Sequence, residues 1–233
     1  LRTPLTLVGG PVSALLRPNQ DPPLATSAKT SLEMVLRNSK KMLQYVNDIM
    51  DLSKLGESTL ELQTRPNHLY SLVKGIYQAF EIQTHYRKVN FDLHFEADRD
   101  LVVELDAEKV EKIINTLLSN AFKYTADGGV VAWTVSCHVE RLHMMVEDTG
   151  VGIAQEDLPH VFERFYQTEN AQQIATAGTG VGLALAKELT ELQGGELQVK
   201  SKLNEGTRFF FDIPLIRATV PVSNTATTTR DPS

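Results

Sequence analysis

The 233 residues carry 42% apolar side chains, enough to bury a real core in one large or two modest domains. The formal net charge of -6, with a pI near 5.5, lacks the basic excess of a nucleic-acid binder but leaves room for a nucleotide held by a few local cations and backbone N–H groups. The single cysteine, Cys137, excludes an intrachain disulfide, and no apolar run reaches the ~20 residues of a membrane span, so the sequence reads as cytosolic and without a signal peptide.

The chain opens at Leu1 in the middle of a pattern, which predicts a longer parent protein. Leu1, Leu5, Val8, Val12 and Leu15 recur at alternating steps of four and three, the spacing of a helix with one apolar seam. Pro4 and Pro11 each remove a backbone donor inside that helix, and Gly9-Gly10 softens it, so it should bend. Pro18-Asn19-Gln20-Asp21-Pro22-Pro23 breaks it. From 31 to 55, Leu32, Leu36, Ser39, Leu43, Val46, Met50 and Ser53 repeat the alternation, while Val35, Met42 and Ile49 widen the stripe. Two such helices around a turn form an antiparallel hairpin. Stripes this wide ask for more cover than a hairpin gives, either from a second chain in a four-helix bundle or from the rest of this chain.

After Leu55 the pattern changes. Thr59 to Gln63 reads as a short strand, and Leu69 to Phe80 as a helix with Leu69, Leu72, Val73, Ile76 and Phe80 on one face. Phe91, Leu93 and Phe95 alternate, as do Val103 and Leu105, which predicts a hairpin of strands. Asp106 is a candidate N-cap for a helix running to Phe122. Val130 to Val139 and Leu142 to Glu147 read as paired strands, with Cys137 a small apolar residue in the first. Val181 to Leu192 is helical, and Leu197 to Ser201 and Thr207 to Ile213 are two more strands. Helices and strands interspersed at these lengths give an α/β sandwich, one sheet covered by helices. From Arg217 the chain turns Thr-, Pro- and Ser-rich, the composition of a disordered tail or linker. The domain reading is therefore a helical hairpin at 1–57, a sandwich at 58–216 and a tail at 217–233.

Three glycine-bearing stretches stand out: Glu147-Asp148-Thr149-Gly150-Val151-Gly152-Ile153 after a strand, Gly178-Thr179-Gly180-Val181-Gly182-Leu183 before a helix, and Glu205-Gly206-Thr207-Arg208-Phe209 opening a strand. Glycine lets a ligand approach the backbone, and a glycine loop feeding a helix N-terminus aims N–H donors at a phosphate. Neither the dinucleotide fingerprint nor a P-loop fits them. Asn120, Lys123 and Tyr124 fall within one turn at a helix end, where the amide oxygen of Asn120 can bind Mg²⁺ and Lys123 can reach a phosphate.

Taken in order, the asparagine stretch, Asp148-Thr149-Gly150-Val151-Gly152-Ile153, Phe162-Glu163-Arg164-Phe165-Tyr166, Gly178-Thr179-Gly180-Val181-Gly182-Leu183 and Gly206-Thr207 resemble the ATPase module of sensor histidine kinases. That module has the GHKL fold shared with gyrase and mismatch-repair ATPases. Leu1-Arg2-Thr3-Pro4-Leu5-Thr6 is similar to the end of the family's phosphoacceptor box, which would account for Pro4. With Val8-Gly9-Gly10-Pro11 after it, the box is similar in style to hybrid sensors of gut bacteria, in which the tail would lead to a receiver domain.

The resemblance implies an α+β chain: a dimeric four-helix bundle followed by an ATP-binding sandwich. It implies ATP and Mg²⁺ as cofactors, a homodimer, a response-regulator receiver as partner and a membrane-anchored parent, with this portion on the cytoplasmic side. Asp148 would accept the adenine amino group, and Gly150 and Gly152 would allow close packing. Asn120 would ligate Mg²⁺, Lys123 would contact phosphate, and Tyr124 would pack near the nucleotide. Gly178, Thr179, Gly180, Val181, Gly182 and Leu183 would end a lid starting near Tyr166 and set the next helix over the phosphates, with Arg164 and Thr207 also at the nucleotide. Thr3 would position water for dephosphorylating the partner.

Three departures temper this. The acceptor histidine is expected two residues before Leu1, so none of the six histidines fits and this stretch alone should not autophosphorylate. Thr116 stands where the family carries a second asparagine, and Gln167 where many members carry an arginine. They motivate the alternative of a degenerate nucleotide-binding or phosphatase-biased adaptor working through dimer shape.

Overall fold

The computed structural model describes residues 61–168 and 180–218, together with positions 12, 28, 29, 31–36, 39, 42, 43, 46, 47, 49 and 50. All described positions before 61 are helical. Val12 and Ser39 are buried and Leu32, Leu36, Leu43 and Val46 half-buried, whereas Val35, Met42 and Ile49, which widen the stripe, are 43%, 56% and 47% exposed. The seam is covered from Leu32 to Val46, but Met50 at its end is 44% exposed, and the row beside it is open in the single chain. Leu1, Leu5, Val8, Leu15, Ser53 and the bend expected at Pro4 and Pro11 lie outside the described residues.

Among the described residues there follow β1 (Arg65–His68), α1 (Leu69–Arg87), β2 (Asn90–Glu96), β3 (Val102–Leu105), α2 (Ala107–Tyr124), β4 (Val130–His138), β5 (Arg141–Asp148), a short 3-10 turn (Leu158–His160), α3 (Gly182–Leu192), β6 (Glu196–Lys202) and β7 (Gly206–Pro214). The main sheet has the order β2-β4-β5-β7-β6, with β2 parallel to β4 and every other pair antiparallel. One face carries the helices. Val131, Trp133 and Val135 of β4, Leu142, Met144 and Val146 of β5, and Phe209, Phe211 and Ile213 of β7 all turn inward with the period-two alternation of a half-buried sheet.

The central helix, α2, starts where Asp106 accepts the Lys109 N–H (3.2 Å) and the Lys109 ammonium. Burial pushes the Asp106 carboxyl up, but those bonds and the Gln63 N–H (2.8 Å) more than offset it and leave it below the ordinary carboxylate range. Val110, Ile113, Ile114, Leu117, Leu118, Ala121 and Phe122 form its buried stripe, each large side chain contributing about 1.5–3 kcal/mol.

Three expectations are corrected. The first strand is Arg65–His68, and the described part of the expected strand, 61–63, is not in a strand. Pro66 argues against a central strand, but here it sits in a two-stranded β1-β3 ribbon, where a missing donor is tolerated. Second, β2 and β3 do not pair with each other. Asp98 takes the Asp100 N–H on its side chain and the Leu101 N–H on its carbonyl, turning the chain away, so β3 joins β1 and β2 joins β4. Third, the chain does not leave the fold at 217. Glu104 N–H donates to Ile216 O (2.8 Å) and Ala218 N–H to Val102 O (3.0 Å), laying 216–218 beside β3. Residues 219–233 lie outside the described part.

Candidate functional site

The inward file of β5 runs Leu142, Met144, Val146 and then Asp148, so strand alternation sets a carboxylate at a core position. Asp148 is only 7% exposed. Burial pushes its pKa up to about 6, the backbone N–H groups of Gly150 and Thr207 pull it down, and Glu147 adds a small rise. Gly150 N–H donates to Asp148 Oδ1 at 2.8 Å. A β-carbon at Gly150 would lie 2.4 Å from Tyr124 O and 2.8 Å from Asp148 Oδ1, and one at Gly206, where φ is 109°, would lie 1.9 Å from Asp148 O. Both glycines are therefore required by what surrounds the carboxylate.

Asp148 opens onto a pocket with about 670 Å³ of empty space, open to solvent. Asn120 and Tyr124 from the end of α2 and Thr207 from β7 supply its other fixed polar groups. Val151, Ile153, Val161, Leu183 and Phe209 give apolar walls, and Tyr166 and Thr168 border it. Flat apolar walls with one buried acceptor at the end suit a heteroaromatic ring bearing an amino donor.

The sequence-predicted residues divide. Asn120, Tyr124, Asp148, Gly152, Leu183 and Thr207 line this pocket together. Gly150 serves it from behind, through its N–H. The direction of a β-carbon at Gly152 points into Lys202 O at 2.1 Å, so this glycine admits the β6–β7 turn. Lys123 is half-buried and donates to Tyr124 Oη at 2.7 Å, its ammonium 4.4 Å from that ring; burial lowers its pKa and raises that of Tyr124. Arg164 is not at the pocket: its guanidinium pairs with Glu188 of α3 at 2.6 Å. Gly180 has φ 71° and accepts the Phe165 N–H (2.8 Å), holding Phe165 itself at φ 68°, a strained value for a bulky residue. Val181 is buried at the start of α3, and Gly182 packs on Thr116, whose γ-methyl would be 3.2 Å from a β-carbon there. Thr116 Oγ1 donates back to Lys112 O at 2.9 Å. Thr3, Gly178 and Thr179 lie outside the described residues.

The sequence reading missed Val161 and Thr168 as walls, named Val151, Ile153 and Phe209 only within their glycine stretches and Tyr166 only as the start of a lid, and it missed Ser201 behind them. Tyr166 donates to Asp157 Oδ1 at 2.5 Å, a bond that raises its pKa to about 12. Ser201 follows Leu197 and Val199 on the inward file of β6, and a polar residue at that position was a usable signal.

Two family descriptions match the chain. His Kinase A (phospho-acceptor) domain matches residues 1–58, and Histidine kinase-, DNA gyrase B-, and HSP90-like ATPase matches 105–217. Sensor histidine kinase WalK of Bacillus subtilis is 32% identical over 219 residues, covering 92% of this chain and 35% of WalK. Sensor histidine kinase TmoS of Ectopseudomonas mendocina is 35% identical over 225 residues, covering 92% of this chain and 22% of TmoS. The chain thus spans well under half the length of these relatives. Among solved structures, full-length ShkA in complex with AMPPNP is 26% identical with a TM-score of 0.76, covering 95% of this chain and 45% of ShkA. The catalytic domain of histidine kinase ThkA is 25% identical with a TM-score of 0.57, covering 65% of this chain and 95% of that domain.

Proposed function

Because this chain belongs to the sensor histidine kinases and carries their catalytic core, we propose that it binds Mg²⁺–ATP in the Asp148 pocket, phosphorylates a histidine and passes the phosphoryl group to a response-regulator aspartate. The observation that carries the reading is the buried Asp148 carboxylate at the end of an apolar-walled pocket. A group this costly to bury is retained where a donor meets it, and the adenine amino group is such a donor. The full-length ShkA structure, solved with AMPPNP, adds support for an adenine nucleotide here.

Bound Mg²⁺–ATP would supply the transferable phosphoryl group and neutralise its charge, and the protein's part is then mostly positioning. Asp148 accepts from the base, while Val151, Ile153 and Phe209 exclude water around it. Asn120 offers one amide oxygen to Mg²⁺. Among the described residues no group of three or more His, Cys, Asp or Glu could hold a metal, which fits an ion coordinated chiefly by phosphates and water. Lys123, held by Tyr124 in this structure, would contact the phosphates. Thr3 is assigned the water-positioning role in dephosphorylation, and the glycines from Gly178 to Gly182 the end of the lid.

The open row of Val35, Met42 and Ile49 supports a homodimer in which a second hairpin covers it. The acceptor histidine is proposed to precede Leu1, within a membrane-anchored parent. The test is a longer form of the protein, including the residues before Leu1, given labelled ATP and an isolated receiver domain. Label should enter the kinase and then the receiver. Saturable ATP binding with no label incorporated would instead favour the adaptor reading that Thr116 and Gln167 motivate.

A further inference from the structure

We propose that Ser201 is a positioning residue that fixes the polarity of the base end of the pocket, making it select a 6-amino over a 6-oxo purine. The inference rests on the reading of the pocket as an ATP site and deepens it.

Ser201 does not line that pocket, yet three bonds converge on its hydroxyl. Ile153 N–H lies 2.8 Å from Oγ, Gly206 O lies 2.7 Å away, and Thr207 Oγ1 lies 2.9 Å away. A serine hydroxyl has one proton and two lone pairs. A carbonyl oxygen can only accept, so the Ser201 proton goes to Gly206 O. The Ile153 N–H can only donate, so it takes one lone pair. The contact with Thr207 is then satisfied in one direction: Thr207 donates and Ser201 accepts. With its proton so engaged, the Thr207 hydroxyl can offer any ligand only lone pairs.

Thr207 lines the pocket and is the direct cross-strand partner of both Asp148 and Ser201. Side by side, the Asp148 carboxylate and the Thr207 hydroxyl oxygen form an edge that accepts and does not donate while Asp148 is ionised. A purine amino group carries two protons to meet it; a 6-oxo group presents an acceptor to acceptors. The same hydroxyl also pins the far wall. Ile153 lines the pocket, and its N–H is held by Ser201, while Asn204 N–H donates to Val151 O at 2.7 Å. The β6–β7 turn thereby fastens the loop that follows Asp148.

The test compares ATP and GTP dissociation constants for the wild-type chain, Ser201→Ala and Ser201→Cys, with thermal melts alongside. Freed from Ser201, the Thr207 hydroxyl can rotate and donate to a 6-oxo group. Ser201→Ala should therefore lower the ATP-over-GTP preference by about tenfold, the worth of one hydrogen bond. The same change made in a Thr207→Val background should leave the preference unmoved. A merely structural serine would weaken both nucleotides equally, and an unchanged ratio in Ser201→Ala overturns the inference. If the alanine variant does not fold, the ratio in Ser201→Cys decides by the same criterion; if neither folds, Ser201 is a folding residue and the inference falls. A wild-type chain that binds neither nucleotide overturns the ATP reading itself, a failure distinct from an unchanged ratio.

Discussion

The two ends of the pocket are built differently. At the base end Asp148, Gly150, Thr207 and Ser201 are tied to one another across three strands, and Asp148 and Thr207 are each 7% exposed. At the helix end Asn120, Lys123 and Tyr124 sit on one turn of α2 and are half-buried, and the cation among them, Lys123, is engaged by Tyr124. The first end is preorganised; the second must exchange partners when a phosphate arrives. Preorganised contacts cost little reorganisation on binding, so recognition of the nucleoside should be intrinsic to the sandwich, and handling of the phosphates should depend on rearrangement.

The largest effect expected of a single change is at Gly206. A side chain there meets Asp148 O and must adopt a φ of 109°, so Gly206→Ala should cost about 3 kcal/mol of stability and abolish nucleotide binding. Thermal or chaotrope unfolding checks it, and an alanine variant as stable as the parent would mean the base end is not rigid. Next comes Asp148→Asn, which should leave the chain folded and weaken ATP and adenosine alike by roughly 10- to 100-fold in calorimetry. A weakening confined to ATP would move Asp148 to the phosphate end.

Acidity gives a third handle. The folded-state pKa of Asp148 is raised to about 6 from an ordinary 3.8. Between those values the folded chain holds a proton that the unfolded chain has released. Stability from this group therefore falls as pH rises through the window, by on the order of 3 kcal/mol, and is flat on either side. Asp106, whose pKa is lowered, acts with the opposite sign: its contribution is present above the ordinary carboxylate pKa and is lost as pH falls through its lower folded value. ATP binding needs the ionised Asp148, so affinity should drop about tenfold between pH 7 and pH 5, and Asp148→Asn should flatten that profile. The smallest effect is at the other end: Lys123→Ala should weaken ATP by about fivefold and leave adenosine nearly unchanged.

Much of this was legible beforehand, for local reasons. Asp106 before an Ile113-Ile114-Leu117-Leu118-Phe122 stripe announces α2, and the Asp148 and Gly206 stretches announce the base end, because each needs a particular residue type at a fixed place. Pairing was not legible. The alternation of Phe91, Leu93 and Phe95 says strand without saying which neighbour, and the parallel partner, β4, lies about forty residues on, across β3 and α2. Phe209 and Ser201 became site residues only once the register put β7 between β5 and β6, and Val161 only once the segment after the Leu158–His160 turn lay against the pocket. Helix α1 runs on to Arg87, past the last apolar residue of its face, Phe80; Ile82 is 66% exposed, and the helix ends at Lys88 in the left-handed conformation. No apolar period marks such an extension.

The central claim is that the sandwich recognises adenosine through a base end already in place. It is tested most directly by calorimetric titration of the chain with adenosine and with Mg²⁺–ATP, wild type beside Asp148→Asn. Saturable one-to-one binding of both ligands to the wild type, weakened for both by roughly 10- to 100-fold in the variant, is the predicted result. Saturable ATP binding with no adenosine binding, or equal affinities in the two proteins, would contradict it.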